Sequence, residues 1–286
     1  MAALGIGKSY LRVLLSNKTH LIRCIPQRLI SSTLVNRQTA DDQQGSWVRN
    51  LFVRKIETPK ESQSHLLSDR SIVYELQFHS VKPECMEGYI KQFESFNNMM
   101  LEKKTGSELV GSWTVEFGDQ DEAVHLWKYV GGYPMLNSAT EIYRTDKDFL
   151  EFRKARNLML RHRTNQINLA FSYWPFAMPR TDGNHIYELR SYVLKPGTMI
   201  EWGNNWARGL QYRKNLEQPI AGLFSHIGEM YTVHHIWAYK DLQTRKEQRE
   251  AAWSMPGWDE CVAYTVPLIQ TLNCGIMIPT PFSKLK

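Results

Sequence analysis

The sequence predicts an α+β protein built from two tandem copies of one β-α-β-β-α-β unit, and three observations carry that prediction. The first is an internal repeat. Tyr74-Glu75-Leu76 returns as Tyr187-Glu188-Leu189, 113 residues later, and at the same offset Lys82-Pro83 returns as Lys195-Pro196 and Met86 as Met199. Farther along, His125-Leu126-Trp127-Lys128-Tyr129 returns as His235-Ile236-Trp237-Ala238-Tyr239 at an offset of 110, and loops absorb the drift. The second is the switch, inside each copy, from β-rich runs to apolar residues at helical spacing. The third is composition. The 286 residues are 42% hydrophobic and 12% aromatic, an ordinary globular mix. No apolar run approaches the ~18–20 residues of a bilayer span, so no integral membrane insertion is expected.

The elements follow in order. A β-rich run, 72–80 in the first copy and 186–194 in the second, is halted by Lys-Pro, and proline suits the first turn of a helix. Met86, Tyr89, Ile90 and Phe93, then Met199, Trp202, Trp206 and Leu210, recur at helical spacing. Two short strands come next, over 109–117 and 123–130 and over 220–227 and 230–238, with Gly118-Asp119 and Gly228-Glu229 as turns. A charged helix over 134–163, matched by 241–271, precedes a final strand over 167–174, matched by 275–279. The expected domains are therefore 72–174 and 185–280, with a linker over 175–184 and a polar extension over 41–71. Such a ferredoxin-like unit carries helices on one sheet face only, and the bare face must be buried. Two copies can pack those faces together as an α/β barrel, within the chain or across a homo-oligomer.

Charge separates the first segment from the rest. Residues 1–40 hold Lys8, Arg12, Lys18, Arg23, Arg28 and Arg37 and no acid; removing those six from the 35 basic residues leaves 29, equal to the 29 acidic ones. A neutral body has no general pull toward phosphate backbones, so nucleic acid is not an expected partner. Leu11, Leu14 and Leu15 form an apolar helical stripe apart from Lys8 and Arg12. The segment reads as a mitochondrial transit peptide taken up by the import machinery, with Arg28-Leu29-Ile30-Ser31 as a processing site. Cys24, Cys85, Cys261 and Cys274 form no C-x-x-C pair and fit a reducing compartment.

If the bare sheet faces close a barrel, alternation places Glu75, Gln77 and His79 on one face with His125, Trp127 and Tyr129. The second copy offers Glu188, Arg190 and Tyr192 with His235, Trp237 and Tyr239. A Glu–His pair in an aromatic cavity can do acid–base work or hold a ligand, so Glu75, His125, Trp127, Glu188, His235 and Trp237 are candidate pocket residues. The plainer role is that the carboxylates satisfy buried donors and the rings fill space, and no catalytic residue is assigned. His234 and His235 should point to opposite faces and share no metal. No phosphate loop or nucleophile elbow implies a cofactor or acyl chemistry. Cys85, Cys261 and Cys274 read as small buried fillers. The run 153–163 reads as a solvated helix face anchored by Leu158 and Met159.

Several strings are distinctive: Gly45-Ser-Trp47, Ala123-Val-His-Leu-Trp127, Gly131-Gly-Tyr-Pro134, the stretch Lys195–Arg208, Val233-His-His-Ile-Trp-Ala-Tyr-Lys-Asp-Leu242 and Ala251-Ala-Trp253. Together they resemble the NIPSNAP family of mitochondrial proteins over 45–279. The resemblance implies two dimeric α/β-barrel domains and residence in the mitochondrial matrix. It also implies accumulation at the outer surface of depolarised mitochondria, and recruitment of autophagy receptors and ubiquitin-like autophagy modifiers there. The sequence is thus expected to encode a mitophagy signal without chemistry of its own. A barrel-pocket enzyme or small-ligand binder and a scaffold for matrix enzymes are the alternatives. Modifier binding commonly uses an aromatic, two spacers and an aliphatic residue, which Tyr10–Val13, Trp127–Val130 and Phe224–Ile227 match loosely. Trp47, Leu51 and Phe52, in the polar extension, are the candidate partner-binding residues.

Overall fold

A computed structural model of the chain describes residues 66–68, 71–175, 178–180, 183–213 and 218–286. The first repeat runs β1 (Ile72–Val81), α1 (Met86–Glu102), β2 (Ser107–Phe117), β3 (Glu122–Val130), α2 (Tyr133–Thr145), α3 (Lys147–Met159) and β4 (Leu160–Ala170). The second runs β5 (Ile186–Leu194), α4 (Met199–Arg213), β6 (Gln218–Ile227), β7 (Thr232–Tyr239), α5 (Leu242–Trp253), α6 (Trp258–Thr265) and β8 (Ile269–Pro279). All eight strands pair antiparallel in one closed barrel, in the order β1-β3-β2-β8-β5-β7-β6-β4. The bare faces of the two ferredoxin-like repeats therefore meet within the chain, which answers the alternative that the sequence left open. The repeat reaches the backbone itself: Asp121 and Tyr231 end the two hairpins with φ of 64° and 61°.

Each long charged helix expected from the sequence is two helices. Asp146 breaks the first pair: its extended backbone stops α2, and its carboxylate caps α3 by accepting the N–H groups of Asp148 and Phe149. Gly257, at φ 92°, sets off α6 from α5 in a conformation open to glycine. The final strands are longer than expected and start at Leu160 and Ile269. The run 153–163 is accordingly part helix and part strand, and Leu158 is exposed at its end instead of anchoring an inner face.

Tyr74, Leu76, Trp113, Leu126, Tyr187 and Ile236 fill the lumen, drawn from strands of both repeats. The chain after β8 folds back, and Leu285 enters this core with no exposed surface. Ser283 Oγ accepts the Ser112 N–H at 3.1 Å, and Arg180 exchanges backbone hydrogen bonds with Lys284 and Lys286. Leu285→Ala should therefore lower stability by about 2–4 kcal/mol, read by urea unfolding, because the packed lumen cannot collapse onto the gap.

This filling corrects the expected lining. Glu75, His125 and Trp127, with Glu188, His235 and Trp237, do not face the lumen; they face outward into the helix layers. The central strands β1, β3, β5 and β7 are buried on both faces, one by the opposite repeat and one by helices, so β7 has no exposed face to mark its outside. The largely apolar set packs against its own kind inside, with His234, Ser191 and Gln166 hydrogen-bonded together among it. The polar set turns toward hydroxyl and guanidinium donors that only the helices and strand edges supply. Two helix-layer cores result, one beneath α1, α2 and α3 around Tyr89, Phe93 and Trp127, the other beneath α4, α5 and α6 around Trp202, Trp206 and Trp237.

Candidate functional site

The chemistry-bearing side chains lie in two equivalent clefts between sheet and helices. In the first, Glu75 accepts from Gln77 Nε2 at 2.9 Å, Asn165 Nδ2 at 2.7 Å and Tyr129 Oη at 2.8 Å. All three donors are neutral. In the second, register places Arg190, Cys274 and Tyr239 in the matching positions around Glu188. Arg190 reaches its carboxylate at 3.0 Å, Arg245 at 2.6 Å, Cys274 Sγ at 2.9 Å and Tyr239 Oη at 3.1 Å. Arg249 stands 3.8 Å away. These cations outweigh the burial that would otherwise raise the Glu188 pKa and hold it well below the usual carboxylate range.

The histidines do not join the carboxylates. His125 Nε2 shares a hydrogen bond with Tyr89 Oη at 2.7 Å, and its Nδ1 lies 2.9 Å from Ser112 Oγ. Tyr89 Oη also reaches His79 Nδ1 at 2.5 Å. The result is a buried chain His79–Tyr89–His125–Ser112, with Phe93 stacked on His125 at 3.6 Å between centroids. Burial first, then Arg156 and Arg163, push the His79 pKa down to about 3; burial holds that of His125 well below its ordinary value. Both rings are neutral, and the protons can point either way along the chain. Tyr89→Phe should cost about 2–5 kcal/mol in chemical denaturation, because one deleted hydroxyl orphans two buried imidazoles.

His235 has lost both partners. The positions equivalent to Tyr89 and Ser112 are Trp202 and Gly222, and neither ring nitrogen finds a hydrogen bond. Trp174 and Trp206 pack on the ring instead, each at 4.5 Å. His234 turns the other way, as alternation requires, with Ser191 Oγ at 2.8 Å from Nδ1 and Gln166 Oε1 at 2.7 Å from Nε2. Trp127 is buried and lines the first cleft, and Trp237 is a buried packing residue in the helix-layer core of the second repeat. Cys261 is buried and its pKa is raised by burial, whereas Cys274 is exposed, which corrects its reading as a buried filler. Trp47, Leu51, Phe52 and Cys24 lie outside the described residues.

Arg156 was missed, and Arg190 was placed on the Glu188 face without being named a pocket candidate. Arg190 was legible as the replacement for Gln77 on the repeated strand, two residues from the carboxylate and on its face. Arg156 was hidden in a charged run that resembled a solvated surface.

The profile of the NIPSNAP family matches residues 74–172 and 187–284, once on each repeat. The chain belongs to the NIPSNAP family. Among its relatives, Protein NipSnap of Drosophila melanogaster is 53% identical over 240 residues, 83% of this chain and 88% of that protein. Protein NipSnap homolog 2 of Homo sapiens is 51% identical over 262 residues, 91% of this chain and 90% of that protein. A solved structure from Fusobacterium nucleatum, named provisionally as a monooxygenase, superposes with a TM-score of 0.58 at 12% identity, covering 76% of this chain and 99% of that one. An anthrone oxidase-like protein gives a TM-score of 0.55 at 11% identity, covering 77% and 96%. At such identities the likeness shows the fold alone. The NIPSNAP names state no reaction, and two of the fold's solved examples are named for oxygen chemistry.

Proposed function

We propose that this NIPSNAP protein resides in the mitochondrial matrix and converts membrane potential into location. A polarised organelle draws the basic first segment inward. On a damaged, depolarised organelle the protein accumulates at the outer surface and recruits autophagy receptors and ubiquitin-like autophagy modifiers, as a mitophagy signal. The observation that carries this reading is the charge split, with six cations and no acid over 1–40 ahead of a body of zero formal charge. A non-enzymatic role is supported by the separation of the expected acid–base partners, since the Glu75 oxygens and the His125 nitrogens are each taken up by other groups. Trp127–Val130 and Phe224–Ile227 sit in paired strands with Trp127 and Phe224 buried, so neither can be lifted out as a docking peptide while the barrel is closed. Recruitment then falls to residues outside these strands, with Trp47, Leu51 and Phe52 the first to substitute.

Protease accessibility on isolated mitochondria, before and after uncoupling, tests this reading when combined with receptor pull-down from the same samples. Protection before and exposure with receptor capture after uncoupling is the expected result. Continued protection without capture would sink it.

A second reading, small-ligand binding, is favoured by the clefts themselves. Each encloses a cavity, of about 460 Å³ in the first repeat and about 480 Å³ in the second, within the range of small-molecule sites. The site moves accordingly from the barrel lumen to the space between helices and sheet.

A further inference from the structure

The two clefts share a plan but differ in how their one carboxylate is paired. In the second, Glu188 gathers Arg190 and Arg245 directly and Arg249 more distantly. In the first, the lining includes Arg144, Arg153, Arg156 and Arg163, and Glu75 is the one carboxylate among the described lining residues. The oxygens of Glu75 are occupied by neutral donors, and no carboxylate of the described residues pairs with any of these four arginines. Arg156 is the telling case. It is 4% exposed, and its partners are the uncharged Tyr143 Oη at 3.1 Å and Asn157 Oδ1 at 3.2 Å. Its Nε has no hydrogen-bond partner. A buried cation with neither counter-ion nor full hydrogen bonding is costly unless something else supplies the charge.

We propose that the first cleft binds a small organic carboxylate with an apolar body, its head on Arg156 and its body against Phe96, Met100 and Trp127. The guanidinium fork matches a carboxylate in geometry and charge. Arg153 and Arg163 at the mouth add attraction without needing direct contact. Arg156 stands in the last turn of α3, where the helix end carries partial negative charge, so a singly charged head suits the site better than a phosphate dianion. Burial first, and then Arg156 and Arg163, depress the His79 pKa, which is consistent with unpaired positive charge beside this cleft. The inference rests on the second reading, that a cleft takes a small molecule, and is independent of recruitment.

Calorimetric titration of the full chain with naphthalene-2-carboxylate and with decanoate tests it, with naphthalene-2-methanol and naphthyl phosphate as comparisons. One carboxylate per chain should bind with a Kd below about 1 mM, and the neutral alcohol should bind at least about tenfold more weakly. Arg156→Met should lose at least tenfold in affinity while its melting temperature stays level or rises, because the unpaired charge is gone. Arg153→Gln, at the mouth, should weaken binding and flatten its salt dependence. Equal binding of the alcohol, tighter binding of the phosphate, or full affinity in Arg156→Met would overturn the carboxylate assignment and leave a ligand-binding cleft. No binding by any probe would overturn both.

Discussion

Acidification from pH 6.5 to 4.5 should unfold this barrel cooperatively, followed by near-UV circular dichroism. His79, His125, His234 and His235 are each at most 3% exposed. Burial depresses all four, His79 to about 3 and His234 to about 4. The unfolded chain takes up protons near pH 6.5 and the folded chain does not. Protons therefore favour the unfolded state, and stability present above pH 6.5 is lost as the pH falls toward 4 and 3. Each histidine contributes about 1.4 kcal/mol per pH unit within that window. Glu122 works in the opposite direction: burial and Asp119 raise it to about 7, so folding gains from its protonation between pH 7 and its unfolded value. The net slope near pH 5 is about 4 kcal/mol per unit, enough to exhaust a typical domain stability within two to three units. His235→Phe should move the midpoint to lower pH, because it removes one such site together with two unpaired nitrogens. A flat stability profile down to pH 4 would contradict the account.

Glu188→Gln should lower stability by about 3–5 kcal/mol, a fall of roughly 10–15 °C in melting temperature for a barrel of this size. The carboxylate has no exposed surface and is the common counter-ion of Arg190 and Arg245, with Arg249 close by. An amide leaves these cations facing one another in a site with little water. Glu75→Gln is the internal control, expected to cost only about 1–2 kcal/mol, because the donors it loses are neutral and weaker partners. Equal losses in the two variants would mean that the charge network contributes nothing beyond ordinary hydrogen bonding.

The repeat made the fold legible. Tyr74-Glu75-Leu76 and its copy fixed the offset, Lys-Pro marked both helix starts, and the two glycine turns closed the hairpins. What the sequence did not carry was the direction of the strands' faces. Alternation labels inside and outside only where one face meets water, and Leu126 and Trp127 are both buried, one in the lumen and one beneath α1. Asp146 is a residue type that caps helices, but the charged pattern runs through it unbroken, so the break there was not read from the sequence. Arg156 was illegible for another reason: four arginines along 153–163 look alike in a string, and only tertiary packing decides which is buried.

Closure of the barrel within one chain has a final consequence. Two identical subunits sharing such a barrel would carry every substitution in duplicate, so neither cleft could change without its twin. Here the exchange of Gln77 for Arg190, or of Ser112 for Gly222, alters one half alone. The molecule keeps the architecture of a twofold assembly while being released from its symmetry, and can hold a cleft whose carboxylate is tied to arginines beside one whose arginines have no carboxylate partner among the described residues.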